Sequence, residues 1–141
     1  MDLSKILTIS GKNGLFRMIS QGKTNFIVES LEDKKRFPAF QSEGVSALDN
    51  ISIYTHEDSI ELGKLFQTIY QKQEKQPLDY KAWSEKQMRE FFLEVIPDYD
   101  ETRVFISNIK KVFQWYNILL KNEIITIDET DTIANTTENE E

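Results

Sequence analysis

The hydrophobic period of this chain changes once, near His56, and that change limits the folds open to it more than any other feature. Up to Tyr54 the apolar residues come in short stretches separated by turn residues, and beyond His56 they recur every three or four positions. The first pattern is that of strands and the second that of helices. A single switch between them predicts an α+β chain, with a strand-rich part over 1–56, a helical unit of about three helices over 57–124 and a tail over 125–141.

Five strands are expected in the first part, over 6–9, 15–20, 25–31, 36–40 and 51–54. Gly11-Lys12-Asn13-Gly14 joins the first two, since Gly and Asn accept the positive φ of a tight hairpin, and Gln21-Gly22-Lys23 forms the next turn. Pro38 has no N–H and confines the fourth strand to an edge or bulge. Strands this short would leave costly edges in an open sheet, so a small closed or nearly closed SH3-like β-barrel is the expected arrangement.

In the second part Leu62, Leu65, Phe66, Ile69 and Tyr70 share one helical face. The start of that helix is open between a capping box at Asp58-x-x-Glu61 and a later beginning at Gly63. Residues 71–77 read as a linker. Ser84-x-x-Gln87 is a capping box for a second helix, with Trp83 placed to staple onto Met88, with Met88, Phe91, Phe92 and Val95 as its buried stripe and with Pro97 as its stop. Ser107 is the expected N-cap of a third helix reaching Lys121. That helix buries Ile109, Val112, Phe113, Tyr116, Leu119 and Leu120, and carries a second stripe, Lys111, Trp115 and Ile118, on another side. The second stripe is either the packing seam between the two parts or a partner-binding patch.

Charge divides unevenly. The formal net charge is −7, but 1–56 sum to +1 and 57–124 to −2, while 125–141 hold six acids and no base. The body is therefore close to neutral and the tail is expected to be disordered and acidic. With no Cys, neither disulfides nor thiolate chemistry is available. No basic n-region with a long apolar stretch opens the chain, and no run approaches a membrane span, so a cytoplasmic protein is expected.

Further strings occur in order along both parts: Ile6-Leu-Thr-Ile-Ser-Gly-Lys-Asn-Gly-Leu15, Ser20-Gln-Gly-Lys23, Val28-Glu-Ser-Leu31, Asp33-Lys-Lys-Arg36, Asp49, Ile51-Ser-Ile-Tyr-Thr55, Ile109-Lys-Lys111 and Trp115-Tyr-Asn117. In these the chain resembles, over about 3–124, a family of uncharacterised bacterial proteins known as a domain of unknown function. The resemblance implies a bacterial cytoplasmic protein and carries over no site residue.

The chemistry-bearing residues are few. His56 is the single histidine and lies in a polar connector, where a solvated loop residue is the expected role. Asp98, Asp100 and Glu101 cluster without any Ca²⁺-loop spacing and stand where acids favour a following helix N-terminus. The GxxG string at 11–14 joins strands, whereas the RNA-clamping loop of that form lies between helices. No phosphate loop, nucleotide fingerprint or nucleophile elbow is present. The expectation is a non-enzymatic protein-interaction module with no cofactor or metal, using Lys111, Trp115 and Ile118. The alternative is RNA or DNA binding through Lys12, Arg17, Lys23, Lys34, Lys35 and Arg36, against which stands the small basic excess of the first part.

Overall fold

The computed structural model describes residues 3–125. The acidic tail falls outside these from residue 126 onward, while Ile125, taken with the tail on composition, is buried in the core. The first part forms β1 (Ile6–Ile9), β2 (Phe16–Gln21), β3 (Asn25–Ser30), β4 (Arg36–Phe40) and β5 (Val45–Ala47). These make one antiparallel sheet in the order β4-β3-β2-β1-β5. β4 and β5 are its two edges and the sheet is not closed, which corrects the expected closed SH3-like barrel. β5 has three residues and pairs with β1 alone, so no ladder joins it to β4. Pro38 stands on edge strand β4 opposite Ile27, where its missing N–H breaks no central ladder.

The expected fifth strand is also reassigned. β6 (Ser52–Tyr54) leaves the sheet and forms a hairpin with β7 (Ser59–Glu61), through Ile53 opposite Ile60. Ile53 is thereby buried with the helices, an apolar contact that the sheet edge does not offer. The hairpin runs directly into α1 (Leu62–Lys72), whose N-cap Glu61 makes no side-chain cap, so neither proposed start is quite met. In α2 (Glu85–Val95) the capping box forms as read, with Ser84 Oγ accepting from Gln87 N–H and Gln87 Oε1 from Ser84 N–H. Trp83 packs its ring against Phe91 and Phe113. α3 (Ile106–Lys121) corrects the expected N-cap Ser107, which lies inside the helix: the N-cap is Phe105, two residues earlier, and Asn108 Oδ1 accepts from its N–H.

Two apolar clusters result. In the smaller, Leu7 and Ile9 of β1, Phe16 of β2, Val28 of β3 and Ala39 of β4 meet on one face of the sheet, and Val45 and Ala47 of β5 pack against them. The alternation of strand side chains puts them all on that face. The larger cluster joins both parts, because Leu3, Ile6, Leu15, Leu31 and Leu48 pack with Ile53 and with the buried stripes of all three helices. Its helical end is an aromatic group in which Phe113 meets Tyr80, Trp83, Phe91 and Phe92 at centroid distances of 5.5–6.3 Å.

The residues linking α1 to α2 are fastened to α3 by two neighbours. Asn117 accepts from Leu78 N–H and donates to Leu78 C=O, and the Tyr116 hydroxyl donates to Gln76 C=O at 2.8 Å. Burial, and secondarily the nearby Tyr70, push the Tyr116 phenol up to about 12.

Candidate functional site

α3 is apolar on two sides, and the structure separates the three residues of its second stripe. Ile118 is buried in the seam, Trp115 is half-buried, and Lys111 is exposed. Lys111 and Trp115 stand one helical turn apart and together wall two adjoining hollows. One, of about 150 Å³, lies between α3 and β6 and includes Tyr54 and Arg103. The other, of about 280 Å³, lies between α3 and the β1–β2 turn and includes Ser10, Lys12, Asn13, Gly44, Ser46 and Gln114. Ile51 is shared by both. The result is a groove along the seam.

Its floor at the sheet end depends on glycines. Gly14 has φ +88°, and a Cβ there would come to 2.3 Å from the Glu32 carboxylate; Gly44 has φ +78°, and a Cβ there would come to 2.5 Å from Ser10 Oγ. Gly44 accepts from both the Ser10 N–H and the Ser10 hydroxyl, which fixes β5 beside the first turn. A larger residue is strained at both places by the positive φ, and at Gly44 it would also displace Ser10, a wall of the groove.

Electrostatically the groove is one-sided. Lys12, Lys111 and Arg103 line it, and among the described residues no Asp or Glu does, although Glu32 stands close by against Gly14. Lys12 lies over the Phe37 ring at 5.1 Å from its centroid, and Arg103 over Tyr54 at 4.3 Å. Both cations thus lie against aromatic faces; Lys12 has no ion-pair partner among the described residues, whereas Arg103 is paired with Asp100 at 2.8 Å.

Arg103 also belongs to a latch. It donates to Asp100 Oδ2 at 2.8 Å and to Thr55 C=O at 3.2 Å, while Thr102 donates to Asp100 Oδ1 from both its N–H and its hydroxyl. The Asp100 N–H donates to Tyr54 C=O, and His56 N–H to Asp98 C=O. These bonds tie the α2–α3 connector to the β6–β7 hairpin. The Thr102 hydrogen bonds, followed by the Arg103 guanidinium, hold the Asp100 carboxyl well below the usual carboxylate range. Asp100 is therefore committed to the latch, and Asp98 and Glu101 are exposed. His56 is exposed in the β6–β7 turn.

The six basic residues of the alternative reading do not form one surface. Arg17 lies opposite Glu29 and next to Ile6 in the ladder, and Arg36, also opposite Glu29, pairs with it at 3.1 Å. Lys23 is in the β2–β3 turn, at the other end of the strands from Lys12, Lys34 and Lys35, a separation of roughly 20 Å. Lys34 donates its ammonium to Asn122 Oδ1 beyond the end of α3. Sequence reading thus found Lys12, Lys111 and Trp115 but assigned the first to a different surface. It missed Tyr54, Arg103, Ser10, Gly44 and Ser46, of which only Gly44, in a short polar stretch, carries a local signal of special backbone geometry.

Residues 3–48 match the family described as Domain of unknown function (DUF5606), and residues 51–119 match that described as Domain of unknown function (DUF6852). The junction falls just before β6, so the β6–β7 hairpin goes with the helices. The chain is also similar to a protein from Bacteroides vulgatus, whose solution NMR structure was determined as a Northeast Structural Genomics Consortium target. The two are 35% identical over 98% of this chain and 99% of that one, with a TM-score of 0.73. The chain belongs to the family of two-part proteins that this relative and the two domains of unknown function define, as its sequence strings implied. No curated protein matches it. Among the described residues no helix is long and apolar enough to cross a membrane.

Proposed function

We propose that this chain is a non-enzymatic, cytoplasmic interaction module that takes an acidic, extended segment of a partner protein into the seam groove. The observation that carries the reading is the lining itself, with Lys12, Lys111 and the Trp115 indole along two adjoining hollows in which no carboxylate is a lining residue and Arg103 alone is paired, with Asp100. Complementary charge selects and orients such a segment. Exposed ion pairs contribute only about 0.2–1 kcal/mol each, so Trp115 carries more of the affinity than any single lysine. The strand order, with β5 returning beside β1 after a 3₁₀ turn, fits an SH3-like connectivity opened between β4 and β5. In this reading 1–56 act as the sheet wall of the groove and 57–124 as its helical wall.

Titration of isotope-labelled protein with an oligoglutamate peptide tests the proposal by NMR. Amides of 10–14, 44–46 and 111–115 are expected to shift, and the Lys111→Glu, Trp115→Ala double variant to lose the response. Absence of shifts at millimolar peptide, or shifts that survive the double variant, would sink it. Tighter binding of a single-stranded RNA that depends on Lys34 and Lys35 would transfer the function to the nucleic-acid reading.

A further inference from the structure

The described chain stops four residues past the end of α3, and the sixteen residues that follow are of the charge that the groove lysines would accept. Ile125 is buried in the larger cluster at 2% exposure, and Asn122 receives the Lys34 ammonium. The β3–β4 turn that carries Lys34 and Lys35 lies next to the β1–β2 turn, since Leu31 N–H donates to Leu15 C=O and Glu32 packs against Gly14. The end of α3 is therefore fixed at the end of the sheet that carries the β1–β2 and β3–β4 turns, where Lys12, Lys34 and Lys35 stand together with Glu32 and Asp33. Trp115 is about 10 Å back along the helix axis from Asn122.

Residues 126–141 contain Asp128, Glu129, Asp131, Glu138, Glu140 and Glu141 and no Lys or Arg. Asp128 is three residues past Ile125 and Asp131 six, reaches of at most about 10 Å and 20 Å. Lys12 and Lys111, which line the groove, have no ion-pair partner among the described residues. We propose that the acidic segment around Asp128, Glu129 and Asp131 is an intramolecular occupant of the Lys12–Lys111 end of the groove and competes there with the acidic partner. The competition rests on the function proposed above; the contact itself does not.

Because the chain has no Cys, Ala134→Cys gives a unique position for a nitroxide label on the full-length protein. Paramagnetic broadening is expected at amides 11–14, 34–35 and 111–115. It should fade in the Asp128→Asn, Glu129→Gln, Asp131→Asn variant, and at about 0.5 M salt, where exposed charges are screened. Broadening that is evenly weak over the surface, centred elsewhere, or unchanged by the neutral tail overturns the proposal. The same neutral-tail variant is expected to bind the oligoglutamate peptide about threefold to tenfold more tightly, the range that one or two exposed ion pairs supply. If neither version binds the peptide, the partner reading fails while the broadening still decides the tail contact.

Discussion

The two apolar clusters of this protein are built by the same sheet and have opposite consequences. The smaller uses side chains of neighbouring strands on one face and draws on nothing outside the sheet. The larger takes only Leu3, Ile6, Leu15, Leu31 and Leu48 from the first part, largely from loops and strand ends, and sets them against three helices and a hairpin. A sheet of five short strands buries too little alone to be comfortably stable, and so does a three-helix unit of this size. The shared cluster makes them interdependent, and the groove with Lys111 and Trp115 lies along its open margin.

The comparison breaks most decisively at Leu48, fully buried in the 3₁₀ turn between β5 and β6. Leu48→Ala is expected to cost about 2–5 kcal/mol and to lower amide-exchange protection in β1 and α1 together. Loss of protection on one side alone would mean that the parts open independently.

Asp100→Asn acts at the latch and is expected to lower the thermal midpoint by less than Leu48→Ala. Because the folded state holds the Asp100 carboxyl below its ordinary value of 3.8, the folded protein binds fewer protons there than the unfolded chain. Its stabilising contribution is full above about pH 4 and shrinks as pH falls. The difference between wild type and Asp100→Asn in denaturant titrations should therefore narrow below pH 4, and a constant difference would show that the latch is not what the charge stabilises. The smallest effect is expected in the sheet's own cluster, where Ile9→Val should cost about 0.5–1.5 kcal/mol and leave the exchange of α1 and α3 unchanged apart from global unfolding.

Where the sequence carried a local mechanism, it was legible. The Ser84–Gln87 capping box, the turns at 11–14 and 21–23, the edge position of Pro38 and the buried stripes of α2 and α3, except for the half-buried Phe91 and Leu120, all follow from short-range sterics and periodicity. Elements stabilised by distant partners were not legible. Val45–Ala47 is too short to show a period and is a strand only because β1 lies beside it, and Ser59–Glu61 only because Ser52–Tyr54 turns back onto it. The sequence showed that Lys111 and Trp115 share a stripe, but nothing in their spacing brings Lys12 from the β1–β2 turn or Arg103 from the α2–α3 connector to the same groove.

By itself, then, the sequence determined the two-part division, the three helices, most of the strands and the acidity of residues beyond 125, because each depends on neighbours in the chain. Tertiary structure alone decided that the sheet stays open, that residues 52–54 join the helical side, that Ile118 is buried while Lys111 is exposed, and that separate cations line one groove. Those outcomes depend on which surfaces exclude water against each other, and that is settled only when both parts pack.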